Sequence, residues 1–173
     1  MNKLILLLVL FYSINYSLAQ SDSTYLIRYP DEDIEFYNNG YINNHGDTII
    51  RAGEYTICFN DTIMNFGAVL DTNGICWGID VYGERIFEIY WFENGPDYLA
   101  DGLFRIVKNG KIGFANANGD IVIKPQYECA NFFDNGKALV TYKCELEEDG
   151  EHYLMISKDW FYIDKRGNKI KNK

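Results

Sequence analysis

Histidine is almost missing from this chain: His45 and His152 are the only two, and Ser157 is the only serine after residue 23. No Gly-x-Ser-x-Gly segment occurs, so nothing supports a Ser-His-Asp hydrolase. The four cysteines, Cys58, Cys76, Cys129 and Cys144, show no Cys-x-x-Cys spacing, which leaves zinc and thioredoxin-like readings without a basis. An Asp-x-Asp-x-Asp-Gly calcium loop is also lacking, so the expectation is no metal, no cofactor and no catalytic constellation. Basic residues are too few for a nucleic-acid partner: 16 Lys and Arg stand against 25 Asp and Glu, a net charge of −9 that repels phosphate backbones.

Long apolar runs are lacking too. The charge-free stretch from Leu4 to Gln20 includes Ser13, Asn15 and Ser17 and falls short of the roughly 20 apolar residues a membrane span needs. With Lys3 before it and Ser17-Leu18-Ala19 at its end, it reads as a secretory leader over residues 1–19, cut near Ala19. The expectation is an exported chain, periplasmic or secreted, with no integral membrane segment after cleavage. No Cys stands near the cut to carry a lipid. Residues 20–32 are then an N-terminal extension and 33–173 one domain, long enough to bury a single core.

An even cysteine count in an oxidising compartment permits disulfides in three connectivities, while four buried thiols acting as small hydrophobes is the rival reading. If bridges form, Cys129 with Cys144 comes first, because the two would flank one loop of a single repeat.

What is abundant is glycine, aromatic residues and a period. Four segments align on a shared glycine: Tyr41-Ile42-Asn43-x-x-Gly46, Gly78-Ile79-Asp80-x-x-Gly83, Phe114-Ala115-Asn116-x-x-Gly119 and Tyr162-Ile163-Asp164-x-x-Gly167. The spacings of 37, 36 and 48 residues predict roughly four units of about 36, with an insertion in the last interval. Each segment reads as a strand end, an Asn or Asp that bonds backbone N–H groups ahead of it, and a Gly that supplies positive φ. The strand that follows is β-branched, as in Ile121-Val122-Ile123, where period two predicts Ile121 and Ile123 on one face and Val122 on the other. Leu103-Phe104-Arg105-Ile106-Val107 and Ala138-Leu139-Val140-Thr141-Tyr142, each preceded by glycine, predict a third strand per unit. The fold class expected is all-β, an antiparallel meander of repeats that bury a face only by stacking on one another.

Asn73-Gly74-Ile75-Cys76-Trp77-Gly78-Ile79-Asp80, Lys108-Asn109-Gly110-Lys111-Ile112-Gly113-Phe114, Ile121-Val122-Ile123-Lys124-Pro125-Gln126-Tyr127 and Gly136-Lys137-Ala138-Leu139-Val140 together resemble the WG, or KWG, repeat family. The likeness is strongest from about Asp101 onward and faint from Asp33 to Phe59. The namesake pair stands at Trp77-Gly78 and is replaced by Ile112-Gly113 and Trp160-Phe161. The resemblance implies a bacterial exported repeat protein and carries over no catalytic residues.

Several polar features have plain structural roles. Asp80 and Asp164 interchange with Asn43 and Asn116, which fits turn bonding and not proton transfer. His45 is expected exposed in the first turn. The acidic stretches Asp31-Glu32-Asp33-x-Glu35 and Glu145 to Glu151 read as solvated loops, the second an inserted hairpin tip, with a cation site or a contact for a basic partner as the rival reading of each. Tyr90-Trp91-Phe92 followed by Asn94-Gly95-Pro96-Asp97-Tyr98 is the best route to a ligand, with Trp91 and Tyr98 the candidate ligand-binding residues and core or inter-repeat packing the rival reading for both; three consecutive aromatics cannot all face inward, so at least one ring is exposed or covered by a neighbour. Trp77 and Trp160 occupy the repeating strand position and are expected in the core. The function expected is a non-catalytic binding module for a protein or glycan partner of the cell envelope. The alternatives are a carbohydrate-active hydrolase with paired carboxylates or a purely structural envelope component.

Overall fold

A computed structural model describes residues 23–30, 38–150 and 152–171. The leader at 1–19 and the Asp31 to Glu35 cluster lie outside the described residues, among which there is no helix. The strands are β1 (Leu26–Tyr29), β2 (Gly40–Asn43), β3 (Thr48–Ile50), β4 (Ile57–Cys58), β5 (Thr62–Ile63), β6 (Phe66–Leu70), β7 (Cys76–Asp80), β8 (Arg85–Ile89) and β9 (Trp91–Phe92), followed by β10 (Gly95–Pro96), β11 (Leu103–Lys108), β12 (Lys111–Asn116), β13 (Ile121–Tyr127), β14 (Cys129–Ala130), β15 (Lys137–Thr141), β16 (Glu145–Asp149), β17 (His152–Ile156) and β18 (Phe161–Asp164). They form a four-stranded sheet β3-β2-β1-β5, a seven-stranded sheet β13-β12-β11-β8-β7-β6-β4, a three-stranded sheet β14-β15-β18, and the ribbons β9-β10 and β16-β17. The architecture is all-β, with antiparallel strands joined mostly as hairpins. Within residues 20–32, Leu26–Tyr29 pairs with both β2 and β5.

The hairpins close in one way. Oδ1 of Asn43, Asp80, Asn116 and Asp164 accepts the N–H groups two and four residues ahead, at 2.9 to 3.0 Å. Each turn glycine has φ between 81° and 90° and donates its N–H to the carbonyl of that Asn or Asp. An L side chain resists this φ, hence glycine at Gly46, Gly83, Gly119 and Gly167. Beyond the turn the register repeats: Ile42 faces Thr48, Ile79 faces Arg85, Ala115 faces Ile121 and Ile163 faces Lys169. Asp71 with Gly74 makes a fifth such turn between β6 and β7, off the 36-residue spacing.

The alternation expected at Ile121-Val122-Ile123 does not hold. Ile121 and Val122 are both exposed and Ile123 is buried. Phe114 pairs with Ile123 and Ala115 with Ile121, so Val122 is the extra residue of a β-bulge; a bulge sets two successive residues against one partner and interrupts period two. Ile49 and Ile86 occupy the same bulged position in the first two hairpins.

This register explains how the core is shared. Three buried clusters each join the residue after the bulge of one hairpin to the residue before the turn of the next: Ile50 with Ile79, Phe87 with Ala115, and Ile123 with Ile163. Two residues before the turn, the first and third hairpins bury Tyr41 and Phe114, whereas the second has Gly78. Phe66 from the preceding strand fills that space: a Cβ on Gly78 would stand 2.5 Å from the Phe66 ring, which itself stacks on Phe104 at 5.5 Å and tilts against Phe87 at 5.6 Å.

The hairpins also alternate in kind. Three residues before the turn, the first and third carry Gly40 and Gly113, against which the chain folds back so closely that a Cβ would stand 2.7 Å from the Ala52 nitrogen and 2.5 Å from the Pro125 nitrogen. The second and fourth carry Trp77 and Phe161, each covered by a cation five residues beyond the turn: Arg85 at 4.8 Å and Lys169 at 4.4 Å. The Trp-Gly pair at Trp77-Gly78 is therefore one residue out of frame with Ile112-Gly113, and Gly78 makes room for the Phe66 ring instead of for a folded-back backbone.

Two outcomes test this geometry. Gly113→Ala, which drives a methyl into backbone, costs about 3 kcal/mol or more, whereas Gly46→Ala, with no described atom within 4 Å of its Cβ, costs only the left-handed strain of about 1–2 kcal/mol; urea denaturation of both variants reads the difference. Across the turns an amide also meets a carboxylate at 3.0 Å, as Asn43 to Asp47, Asn116 to Asp120 and, with the roles exchanged, Asn168 to Asp164. Asn116→Asp should cost ~1 kcal/mol, and adding Asp120→Asn should restore the melting temperature by recreating the exchanged arrangement.

Candidate functional site: an aromatic cleft

The segment 90–98 departs from the hairpin period and is fixed in place by one buried ion pair. Arg105 on β11 is 2% exposed and Asp97 9%. Asp97 Oδ1 accepts from Arg105 Nη2 at 2.6 Å, and Oδ2 accepts from Nε at 3.0 Å and from the Arg105 backbone N–H at 2.7 Å. The remaining donor, Nη1, reaches the Ala130 carbonyl at 3.1 Å, and the guanidinium lies over the rings of Tyr90 at 4.2 Å and Phe92 at 5.0 Å. Fork geometry and these further contacts offset the cost of taking both charges out of water. The segment itself doubles back as the β9-β10 ribbon, with Glu93 at φ 53°.

Beside it lies a cleft of about 950 Å³. Trp91, Phe92, Glu93 and Asn94 contribute from the segment, Asn131 and Phe132 from the loop after β14, and Tyr153, Leu154 and Met155 from β17. Trp91 is 40% exposed, Phe132 and Leu154 are similarly open, and Tyr153 is 63% exposed. Singly, exposed apolar residues are ordinary, but several converging on one concavity mark a binding surface.

The two candidate ligand-binding residues separate here. Trp91 lines the cleft. Tyr98 does not: it packs edge-on against Phe92 at 5.4 Å, and its hydroxyl donates to Glu93 Oε2 at 2.8 Å, a bond that raises the hydroxyl pKa. Trp160, expected in the core, is half-buried and lines the cleft. Trp77 is also half-buried, under Arg85, with its indole N–H donating to Asp71 at 2.9 Å.

The inserted residues after β15 form the β16-β17 ribbon. Every β16 residue is exposed: Glu145, Leu146, Glu147, Glu148 and Asp149. Cys144, at its foot, is bridged to Cys129 of β14 across a Cα to Cα distance of 5.8 Å, which tethers the ribbon to the third sheet. Cys58 and Cys76 are free, buried thiols in different core clusters. Burial pushes Cys58 to about 11 and Cys76 to about 12, far from nucleophilic use.

The carboxylates sort by environment. Burial alone would raise the Asp71 pKa, but hydrogen bonds from Trp77, Ile75 and Asn73 and the nearby Arg85 hold it below its ordinary value. Burial and then the Asp71 charge raise Glu88. Neither lines the cleft, where Glu93 is the one acid among the described residues. Asp80 and Asp164 accept turn N–H groups, and the exposed His45 donates its backbone N–H within the first turn. Among the described residues no three His, Cys, Asp or Glu converge to hold a metal, and no helix is long and apolar enough to cross a membrane.

Because Arg105 and Asp97 are each other's buried counter-charge, removing one strands the other. Arg105→Met should cost about 3–5 kcal/mol in chemical denaturation, and adding Asp97→Leu should recover much of the loss.

Residues 112–143 match a family model described as a WG containing repeat. The match runs from Ile112 in β12 through the Asn116 turn and the Val122 bulge to Lys143, two residues past the end of β15. No curated protein and no solved structure matches the chain.

Proposed function

We propose that this chain, a protein with a WG repeat at residues 112–143, is an exported, non-catalytic binding module that offers the aromatic cleft to a protein or glycan partner of the cell envelope. The observation that carries this reading is the convergence of Trp91, Phe132 and Tyr153, all exposed, on one cleft whose margins are held by a buried ion pair and a disulfide-tethered ribbon. Placing rings toward water forfeits burial worth about 1.5–3 kcal/mol for each large side chain, and a partner that covers them recovers it. Such rings stack on sugar faces or on peptide groups equally well.

Export rests on the leader composition at residues 1–19 and on the Cys129–Cys144 bridge, which suits an oxidising compartment. A hydrolase with paired carboxylates would need a second acid in the cleft beside Glu93, which itself accepts from the Tyr98 hydroxyl. Asp71, whose oxygens accept from two backbone N–H groups and the Trp77 indole, does not line the cleft.

The test is capture. The immobilised chain should retain a component of envelope glycan or envelope protein fractions saturably, and Trp91→Ala should abolish retention while moving the melting temperature by less than about 3 °C. Retention that ignores Trp91→Ala, or no retention from any fraction, would sink the reading.

A further inference from the structure

We propose that the cleft takes an extended peptide segment bearing lysine or arginine, with its cations laid on Trp91, Tyr153 and Trp160 and the carboxylates of β16 supplying the counter-charge. The inference rests on the binding reading above and narrows its partner to one class.

The protein shows on itself what its rings accept. Arg85 sits between Tyr55 at 5.3 Å and Trp77 at 4.8 Å, Arg105 lies over Tyr90 and Phe92, Lys137 over Tyr162 at 4.7 Å and Lys169 over Phe161 at 4.4 Å. No cation of the described residues covers Trp91, Tyr153 or Trp160. Trp91 and Tyr153 are exposed and Trp160 is half-buried, and a cation laid on a ring face gains more as the contact is desolvated.

Charge points the same way. Glu145, Glu147, Glu148 and Asp149 are all exposed, and none is in a salt bridge among the described residues. With a net charge of −9 on the whole chain, an anionic ligand is repelled and a cationic one is drawn in. Arg105, the one cation lining the cleft, is neutralised by Asp97 and adds no opposing field.

The backbone supplies the third requirement. Among the described residues β16 and β17 pair only with each other, in register from Glu145 with Ile156 to Asp149 with His152, so no described strand takes the outer edge of either. Such an edge accepts an added strand, and a strand's side chains recur on one face every second residue, which suits alternating cations.

The measurement is fluorescence anisotropy with the full chain, its Cys129–Cys144 bridge intact, and a labelled peptide of alternating lysine and threonine. Binding should weaken steeply as salt rises. Replacing each lysine by norleucine, which keeps the stem and removes the charge, should weaken it at least about tenfold, and Trp91→Ala should do the same. The double change Glu147→Gln and Glu148→Gln should flatten the salt dependence without altering the melting temperature. Equal binding of the norleucine peptide, or of one carrying glutamate for lysine, would overturn the inference, as would indifference to Trp91→Ala. If a neutral chitooligosaccharide binds through Trp91 and the lysine peptide does not, the binding reading stands and this narrowing of it falls. If neither binds and envelope capture also fails, both fall together.

Discussion

One carboxyl or amide oxygen, held in a tight loop and accepting two backbone N–H groups, sets the shape of this molecule. The bond from Oδ1 to the groups two and four residues ahead fixes the angle at which each strand leaves the turn, and the glycine at the third position makes that angle sterically accessible. Register follows from the turn, and the bulge six residues on follows from the register. Which residue faces the core is decided there, because the bulge turns the residue after it inward, leaving Arg85-Ile86 and Ile121-Val122 exposed and Ile49 half-buried. Ile50, Phe87 and Ile123 are buried for this reason, and each meets the next hairpin's contribution. No single hairpin could shield such a residue alone, so the stack is the smallest unit that folds.

The cleft is built from what breaks this period. The 90–98 segment and the β16-β17 ribbon are both departures, and each needs an anchor the repeat does not provide. The first has the Arg105–Asp97 pair, with each nitrogen of the guanidinium group bonded to a buried partner. The second has a covalent tie at its foot. The two anchored excursions meet Asn131, Phe132 and Leu139 of the repeat frame, so the cleft joins irregular segments to a regular scaffold.

Much of the frame was legible in the residues. The four Asn or Asp to Gly intervals mark the turns, and the glycines before Leu103 and Ala138 mark tight two-residue connections: Asp101-Gly102 and Asn135-Gly136 both have positive φ, as a primed hairpin turn requires. The Asp71 turn escaped because it falls off the 36-residue spacing, although Asp-x-x-Gly is the same local signal. The bulge was invisible to period-two counting, which assumes an uninterrupted ladder. Trp91 stood out because three aromatics in a row cannot all be buried, whereas Trp160 looked like core because it holds the namesake strand position; only the inserted ribbon, folded beside it, turns that position into part of a cleft. Arg105 carried a signal of its own, a lone cation amid Leu103, Phe104, Ile106 and Val107, that points to a buried partner without naming Asp97.

The alternation between hairpins that begin with a folded-back glycine and hairpins that begin with a ring under a cation has a consequence for growth of the array. A hairpin of one kind is followed by its opposite throughout, so the translational unit is a pair and the sequence spacing of about 36 residues is half of it. Lengthening the stack by a single copy would set two hairpins of one kind in succession, whereas duplication in twos would preserve the alternation.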